Sequence, residues 1–266
     1  MIYTLLSLPT ILLTVFVILF GSGISLLLLF YFRKKFKNEW FIDNHEVSSV
    51  FFNAFGLLHA VLVAFVVYAT WNSYSQADLD VEVEANEIYN LFISVNGLPE
   101  EYRPEAKKLM SEYLTTVINE DWDYMQKEMN NPDSKEELVK LWNYYLTMRN
   151  IKTVEEEFVY QESLKRLNEI TNSRRLRVQS SQNDIPPILW VVIIIGSVSS
   201  VVFSLFFKAK NMVLQGFMTA TFGALNCLII LLILLLDHPF TGDSGISIEP
   251  FVFVLDFMKE NMSLNP

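Results

Sequence analysis

Four apolar runs constrain this chain more than anything else in it. A hydrocarbon core about 30 Å thick takes roughly 20 apolar residues as a helix. Thr10 to Phe32, Val47 to Thr70, Ile185 to Phe207 and Asn211 to Leu236 all meet that length. None contains an acidic or basic side chain within its apolar centre, and the only ionisable group in Val47–Thr70 is His59. A backbone in lipid must satisfy its own hydrogen bonds, so each run reads as a transmembrane helix. The chain is expected to be an all-α membrane protein with four spans.

Charge is distributed accordingly. Charged residues make up 19% of the 266 and hydrophobic ones 52%, against about 25% charged in an ordinary soluble domain. Mean hydropathy is +0.29. Between Trp71 and Asp184 there are 22 acidic and 13 basic side chains, a net of −9, while the other 152 residues hold 8 acids and 7 bases. This pattern excludes a soluble enzyme and a basic nucleic-acid binder. One cysteine, Cys227, excludes a disulfide framework and a CxxC metal site.

The first span is followed by Arg33-Lys34-Lys35-Phe36-Lys37, and Met1–Pro9 carries no Lys or Arg. That reads as an uncleaved anchor with its N-terminus outside rather than a signal peptide. The loop after span three has Lys208 and Lys210. Basic short loops face the cytoplasm, so both termini and the 71–184 region are expected outside the inner membrane. The expected parts are 1–70 (spans one and two), 71–184 (an acidic helical domain), 185–236 (spans three and four) and 237–266 (a turn and an interfacial helix starting near Pro250).

The 71–184 region reads as helix throughout. Span two has no breaker at its end, and two series continue along it: Leu79, Val83, Asn86, Asn90 and Val81, Ala85, Ile88, Phe92, Val95. Both have helical spacing. Asn96-Gly97-Leu98-Pro99 stops the helix. Another starts near Pro104, with Ala106, Met110, Tyr113 and Val117 on one stripe, and Asn130-Asn131-Pro132-Asp133 reads as a turn. Ser134-x-x-Glu137 and Thr153-x-x-Glu156 have the spacing of capping boxes. Asp121 and Asp123 are expected on a solvated face beside a buried Trp122.

No HExxH, GxSxG or phosphate-loop pattern occurs, so no metal, cofactor or catalytic residue is expected. An intramembrane enzyme would need a nucleophile or metal ligands that the spans lack. Gly21-Ser22-Gly23 predicts a close helix contact or a kink. In span four, Gln215, Thr219 and Asn226 share one face beside the small row Gly216, Ala220, Ala224. Span three has Ser197, Ser200 and Ser204; span two has Asn53, His59 and the row Gly56, Ala60, Ala64. Such groups serve helix packing or a water-filled path. On the second reading Asn53, His59, Gln215, Thr219 and Asn226 are the candidate pore lining. Asp78, Asp80, Glu84, Asp184 and Asp237 crowd the membrane exits. They form either a solvated face or an outer vestibule that concentrates cations.

Three motifs carry a resemblance. Trp71-x-x-Tyr74-x-x-Ala77 with Glu84-Ala85, Arg174-Arg175-Leu176 with Pro186-x-x-Leu189-Trp190, and Asp237-x-Pro239-Phe240-x-Gly242 together resemble the bestrophin-like family of prokaryotic multi-pass membrane proteins, across roughly residues 50–258. The resemblance implies kinship to bestrophins, which are oligomeric anion channels with large cytoplasmic helical domains. The charge count here puts the domain outside, and its acidity suits cations. The expectation is a homo-oligomeric ion channel, its partners the bilayer and inorganic ions. The rival is a non-conducting protein whose acidic domain binds a partner or senses an extracytoplasmic signal.

Overall fold

The computed structural model describes residues 6, 8–36, 45–182, 185–207 and 211–264. Among them no β-strand occurs. The helices are α1 (Thr10–Lys35), α2 (His45–Ser94), α3 (Arg103–Thr116), α4 (Trp122–Met125), α5 (Pro132–Thr147), α6 (Val154–Ser180), α7 (Pro187–Phe206), α8 (Met212–Asp237) and α9 (Glu249–Leu264). Four of them, α1, α2, α7 and α8, are long and apolar enough to cross a membrane. Two compact units result. One is Met1–Ser73 with Asp184–Asp237 and Gly242–Ser244; the other is Tyr74–Asn183 with His238–Thr241 and Gly245–Pro266.

In the first unit, glycines set how closely the spans approach. A Cβ on Gly21 would stand 2.8 Å from Cys227 Sγ and 2.9 Å from the Gly223 carbonyl. Ser22 Oγ donates to the Ala220 carbonyl at 3.4 Å. The small residues of α1 and α8 thus let two backbones meet, the main source of association once hydrophobic burial is no longer the driving force. On α7, Gly196 makes room for the His59 ring of α2, which a Cβ there would strike. Phe55 packs on Phe203 (centroids 5.4 Å apart) and Phe52 on Phe207 (5.3 Å), completing the α2–α7 contact.

α2 is a single helix of 50 residues, because nothing between Thr70 and Ser94 breaks it. Its Val81, Ala85, Ile88, Phe92 and Val95 series is buried, as the spacing predicts. The chain then stops in a 3₁₀ turn, Val95–Gly97, and Gly97 lies against Val159, where a Cβ would be 2.8 Å from a methyl group. So Gly97 serves a close approach there, without a left-handed conformation.

The second unit is a helical core. Ala106, Met110, Tyr113, Leu114 and Val117 of the α3 stripe are fully buried, with Leu141 and Tyr145 of α5 and Leu167 and Ile170 of α6. A π-type turn, Val117–Asp121, joins α3 to α4. Thr153 and Glu156 form the expected capping box: Glu156 N donates to Thr153 Oγ1 at 3.1 Å and Thr153 N donates to Glu156 Oε2 at 3.1 Å. The bonds that Lys152 N and Thr153 N donate to its Oε2 hold the Glu156 carboxyl below its ordinary pKa.

Three expectations need correction. α5 is capped one turn earlier than Ser134: Asn131 accepts from Asp133 N at 2.9 Å, and Pro132 takes the first helical position. Prolines suit that position because its N–H needs no helical partner. α9 begins near Pro250 as expected, yet much of the apolar face expected to lie on the membrane packs into protein. Phe251 and Met258 are wholly buried in the helical core, with Val254 and Leu255. Asp121 is buried rather than solvated, whereas Asp123 is exposed.

Candidate functional site: the exposed helix face and the buried charges

The five candidate pore residues separate. Asn53 is exposed on α2. His59 faces the other way, stacked on Phe55 (9° between planes) with Nε2 3.4 Å from Ser197 Oγ. Gln215 and Thr219 are buried and line one cleft, of about 420 Å³, with Phe52, Phe207, Met218 and Phe222. Asn226 lines a different one, of about 150 Å³, with Ser25, Ser197, Cys227, Val201 and Ile230.

The span-four amides are held within the protomer. Arg33, in the last turn of α1, donates to Gln215 Oε1 at 2.7 Å and to the Phe207 carbonyl at 2.9 Å. Gln215 Nε2 also donates to that carbonyl, at 2.8 Å. One cation thereby ties the ends of three spans, and it sits at the carbonyl end of α7, where the helix dipole favours positive charge. Asn226 Nδ2 donates to the Phe222 carbonyl at 2.9 Å, and its Oδ1 lies 3.4 Å from Ser200 Oγ. Ser200 and Ser204 also bond back to their own helix.

The acidic candidates divide as well. Asp184 lies outside the described residues. Asp78 and Glu82 are exposed on α2. Asp80 is buried and accepts from Gln76 Nε2 at 3.1 Å. Asp237 is buried and accepts the Ile185 N–H at 2.9 Å, joining the end of α8 to the approach to α7. Glu84, expected at a solvated mouth, has no accessible surface at all.

Glu84 belongs to a buried network that the spacing rules did not single out. Arg177 Nε donates to Glu84 Oε2 at 2.7 Å and its Nη2 donates to Asp121 Oδ2 at 2.9 Å. Tyr113 O–H donates to Glu84 Oε1 at 2.5 Å, and Asn131 Nδ2 to Asp121 Oδ1 at 2.9 Å. Arg174, one turn earlier on α6, donates to Ser134 Oγ at 2.7 Å and to the Asn131 carbonyl at 3.1 Å. The Arg177 guanidinium lies 5.4 Å from the Trp122 ring centre and 5.4 Å from that of Phe251. Two arginines and two carboxylates cancel within this buried cluster: Arg177 bridges both carboxylates, and Arg174 is held beside them by neutral oxygens. Burial alone would lower the Arg177 pKa, but the Glu84 and Asp121 carboxylates reverse this and raise it above the ordinary arginine value. Burial, and then the charge of Glu84, push the Tyr113 phenol well above its usual 10.0.

A signal for these residues exists in the sequence. Glu84 falls on the Val81–Ala85–Ile88 seam, and Arg174 and Arg177 stand four and seven residues beyond buried Ile170. A charge on an apolar seam needs a partner of opposite sign. The Asp237–Gly242 motif is structural too. Phe240 packs edge-on against Trp122 (86° between planes), Ile246 N donates to the Pro239 carbonyl at 2.7 Å, and Gly242 takes a φ of +76° that other residues avoid.

One face of α2 stays exposed along the helix, both within its apolar run and beyond it. Val61, Phe65 and Tyr68 are 46%, 68% and 69% exposed, and beyond Thr70 the same face continues with exposed Asn72, Leu79 at 49%, Val83 at 38%, exposed Asn86 and Ile93 at 45%. The row Gly56, Ala60, Ala64 also meets nothing from the protomer's own helices at Gly56, and its alanines are exposed. Among the described residues, no three His, Cys, Asp or Glu side chains gather as a metal site would require.

These features define an all-helical membrane protein with four helices long and apolar enough to cross a bilayer. Residues 13–251 match the Bestrophin-like domain, and the chain belongs to the bestrophin-like family. Two single-substitution variants of a bacterial bestrophin homologue from Klebsiella pneumoniae share its fold. Their TM-scores are 0.66 and 0.65 at 13% and 12% identity; the alignments cover 95% and 94% of this chain and 99% and 98% of theirs. A crystal structure described as a membrane protein aligns with TM-score 0.68 at 11% identity, over 95% of this chain and 99% of that one. No curated protein matches the sequence.

Proposed function

We propose that the protein is a homo-oligomeric ion channel of the inner membrane, in which copies of α2 surround the ion path. The observation that carries this reading is the exposed face of α2. Lipid accounts for exposed Phe65 and Tyr68, but Leu79, Val83 and Ile93 belong to the polar, acidic part of the chain. Apolar side chains there call for protein, and a second copy of the same helix supplies a matching stripe. The small row Gly56, Ala60, Ala64 suits close approach between membrane helices. Family membership points the same way, since bestrophins are channels.

Asn53 is the candidate on the exposed side of α2, so it faces the path in this reading. His59, Gln215, Thr219 and Asn226 brace the protomer instead. At the mouth, exposed Asp78 and Glu82 supply negative charge next to the stripe, while the paired charge of Glu84 contributes little. An acidic domain of net −9 favours cations by raising their local concentration. The 71–184 domain and both termini lie outside, with the Arg33–Lys35 turn on the cytoplasmic side.

Flux into liposomes under potassium, calcium and chloride gradients tests the reading, with the subunit number measured on the same sample. Cation flux that falls in Asp78→Asn and Glu82→Gln supports it. Chloride flux corrects the selectivity and leaves the channel. A strict monomer without flux would favour the rival, partner-binding role. That rival has one observation of its own: Val154 and Phe158 are 83% and 71% exposed at the start of α6, among Glu155, Glu156 and Glu157.

A further inference from the structure

The cleft between α2, α7 and α8 has a chemistry that the channel reading does not use. Its walls are mainly the rings of Phe52, Phe207 and Phe222 and the Met218 side chain, a surface suited to methylene groups, with Ser49, Ser204, Gln215 and Thr219 as its polar members. At about 420 Å³ it exceeds what a few waters would fill. Gln215 and Phe207 also accept from Arg33, so a positive charge sits against the lining. Lys34 and Lys35 are exposed in the same turn, Lys35 Nζ donating to Tyr31 O–H at 2.8 Å. Arg33 closes α1, Phe207 follows α7 and Gln215 stands in the first turn of α8. Cation and cleft therefore meet at the ends of three spans, the depth of a lipid headgroup.

We propose that this cleft holds an acyl chain of an anionic phospholipid, whose phosphate is bound by the basic turn Arg33–Lys35. The apolar lining disfavours a free phosphate, and the basic turn selects an anionic lipid over a zwitterionic one. Neither point depends on conduction.

The test is native mass spectrometry of the full chain in detergent, titrated with phosphatidylglycerol or phosphatidylcholine. Phosphatidylglycerol binds more tightly, by about fivefold for each basic side chain engaged. The Lys34→Gln/Lys35→Gln variant loses the share of both lysines and keeps at most the about fivefold preference that Arg33 supplies. Thr219→Phe, which fills the cleft, abolishes retention of both lipids at unchanged subunit number; Met218→Trp serves if that variant does not fold. Equal retention of the two lipids by the wild-type chain overturns the proposal, as does retention of phosphatidylglycerol that filling leaves intact. A filling variant that changes the subunit number while keeping its lipid assigns the cleft to a second copy instead.

Discussion

Arg177 and Glu84, 93 residues apart in the chain, meet at 2.7 Å with no accessible surface on either side chain. The contact joins α6 to the continuation of α2, and Asp121, placed by the π-type turn, completes it at 2.9 Å. Such clusters cost desolvation, and removing one member leaves an uncompensated charge. Arg177→Met is therefore expected to lose about 3–5 kcal/mol of stability. Adding Glu84→Gln to that variant recovers part of the loss, since the buried charges that remain, Arg174 and Asp121, then cancel. Thermal scans followed by circular dichroism on the purified full chain decide it. A single variant that melts like the wild type would remove the network from the account of stability.

The same network shows what was legible in the sequence. Four spans, the unbroken α2, the α3 stripe and the Thr153–Glu156 capping box all follow from local periodicity and caps, which need only neighbours in the chain. The Arg177–Glu84 pair depends on which helices pack together, and no local rule supplies that. By composition the acidic run after span two is one surface, yet it alternates between solvent and core: Asp78 and Glu82 are out, Asp80 and Glu84 in. Helical phase already separates them, because Glu84 shares the turn of Val81, Ala85 and Ile88. Ser134 has the spacing of a capping box, but its hydroxyl serves the Arg174 guanidinium from another helix, and Asn131 is the cap.

Alkaline pH should reveal the buried phenol. Tyr113 has a folded-state pKa well above 10.0, so the folded chain holds that proton more tightly than the unfolded one. Its contribution is complete below pH about 10 and is lost as pH rises past that value toward the folded pKa. Absorbance titration of tyrosinate should show Tyr113 ionising only together with unfolding, and Tyr113→Phe should move that unfolding midpoint. Glu156 works in the opposite sense: its lowered pKa gives stability above the ordinary glutamate range that fades as pH falls through it.

Backbone proximity in the first unit predicts intolerance at one glycine. A Cβ on Gly223 would collide with the Ser25 side chain and stand 2.8 Å from the Gly21 carbonyl. Neither backbone can yield without parting α1 from α8, so Gly223→Val should cost about 1–3 kcal/mol. Gly23→Val, with nothing within 4 Å of its Cβ position, should leave the melting temperature in detergent unchanged. Equal effects at both glycines would contradict the close α1–α8 contact.

Gln215 and Asn53 should respond in opposite ways. Gln215→Leu removes an acceptor of Arg33, and a lost bond to a charged group costs about 1.5–3 kcal/mol; the flux of the protein that still assembles stays near that of the wild type. Asn53→Leu leaves stability within about 0.5 kcal/mol, as expected for an exposed position, and changes flux. If Gln215→Leu changes selectivity at unchanged stability, the ion path runs through α8 and the assignment to α2 fails.

Topology can be read chemically from two exposed positions, Lys34 at the end of α1 and Thr115 on α3. In a Cys227→Ala background, Thr115→Cys should react in intact cells with a membrane-impermeant maleimide, and Lys34→Cys only after permeabilisation. The expectation rests on basic residues being retained in the cytoplasm near span ends, a bias that acts on the short loops and not on a long inserted domain. The opposite labelling pattern would place the acidic domain inside, as in bestrophins, and Asp78 and Glu82 would then shape a cytoplasmic mouth. The α2 stripe would still demand a second copy, since exposed Leu79 and Val83 face water on either side of the membrane.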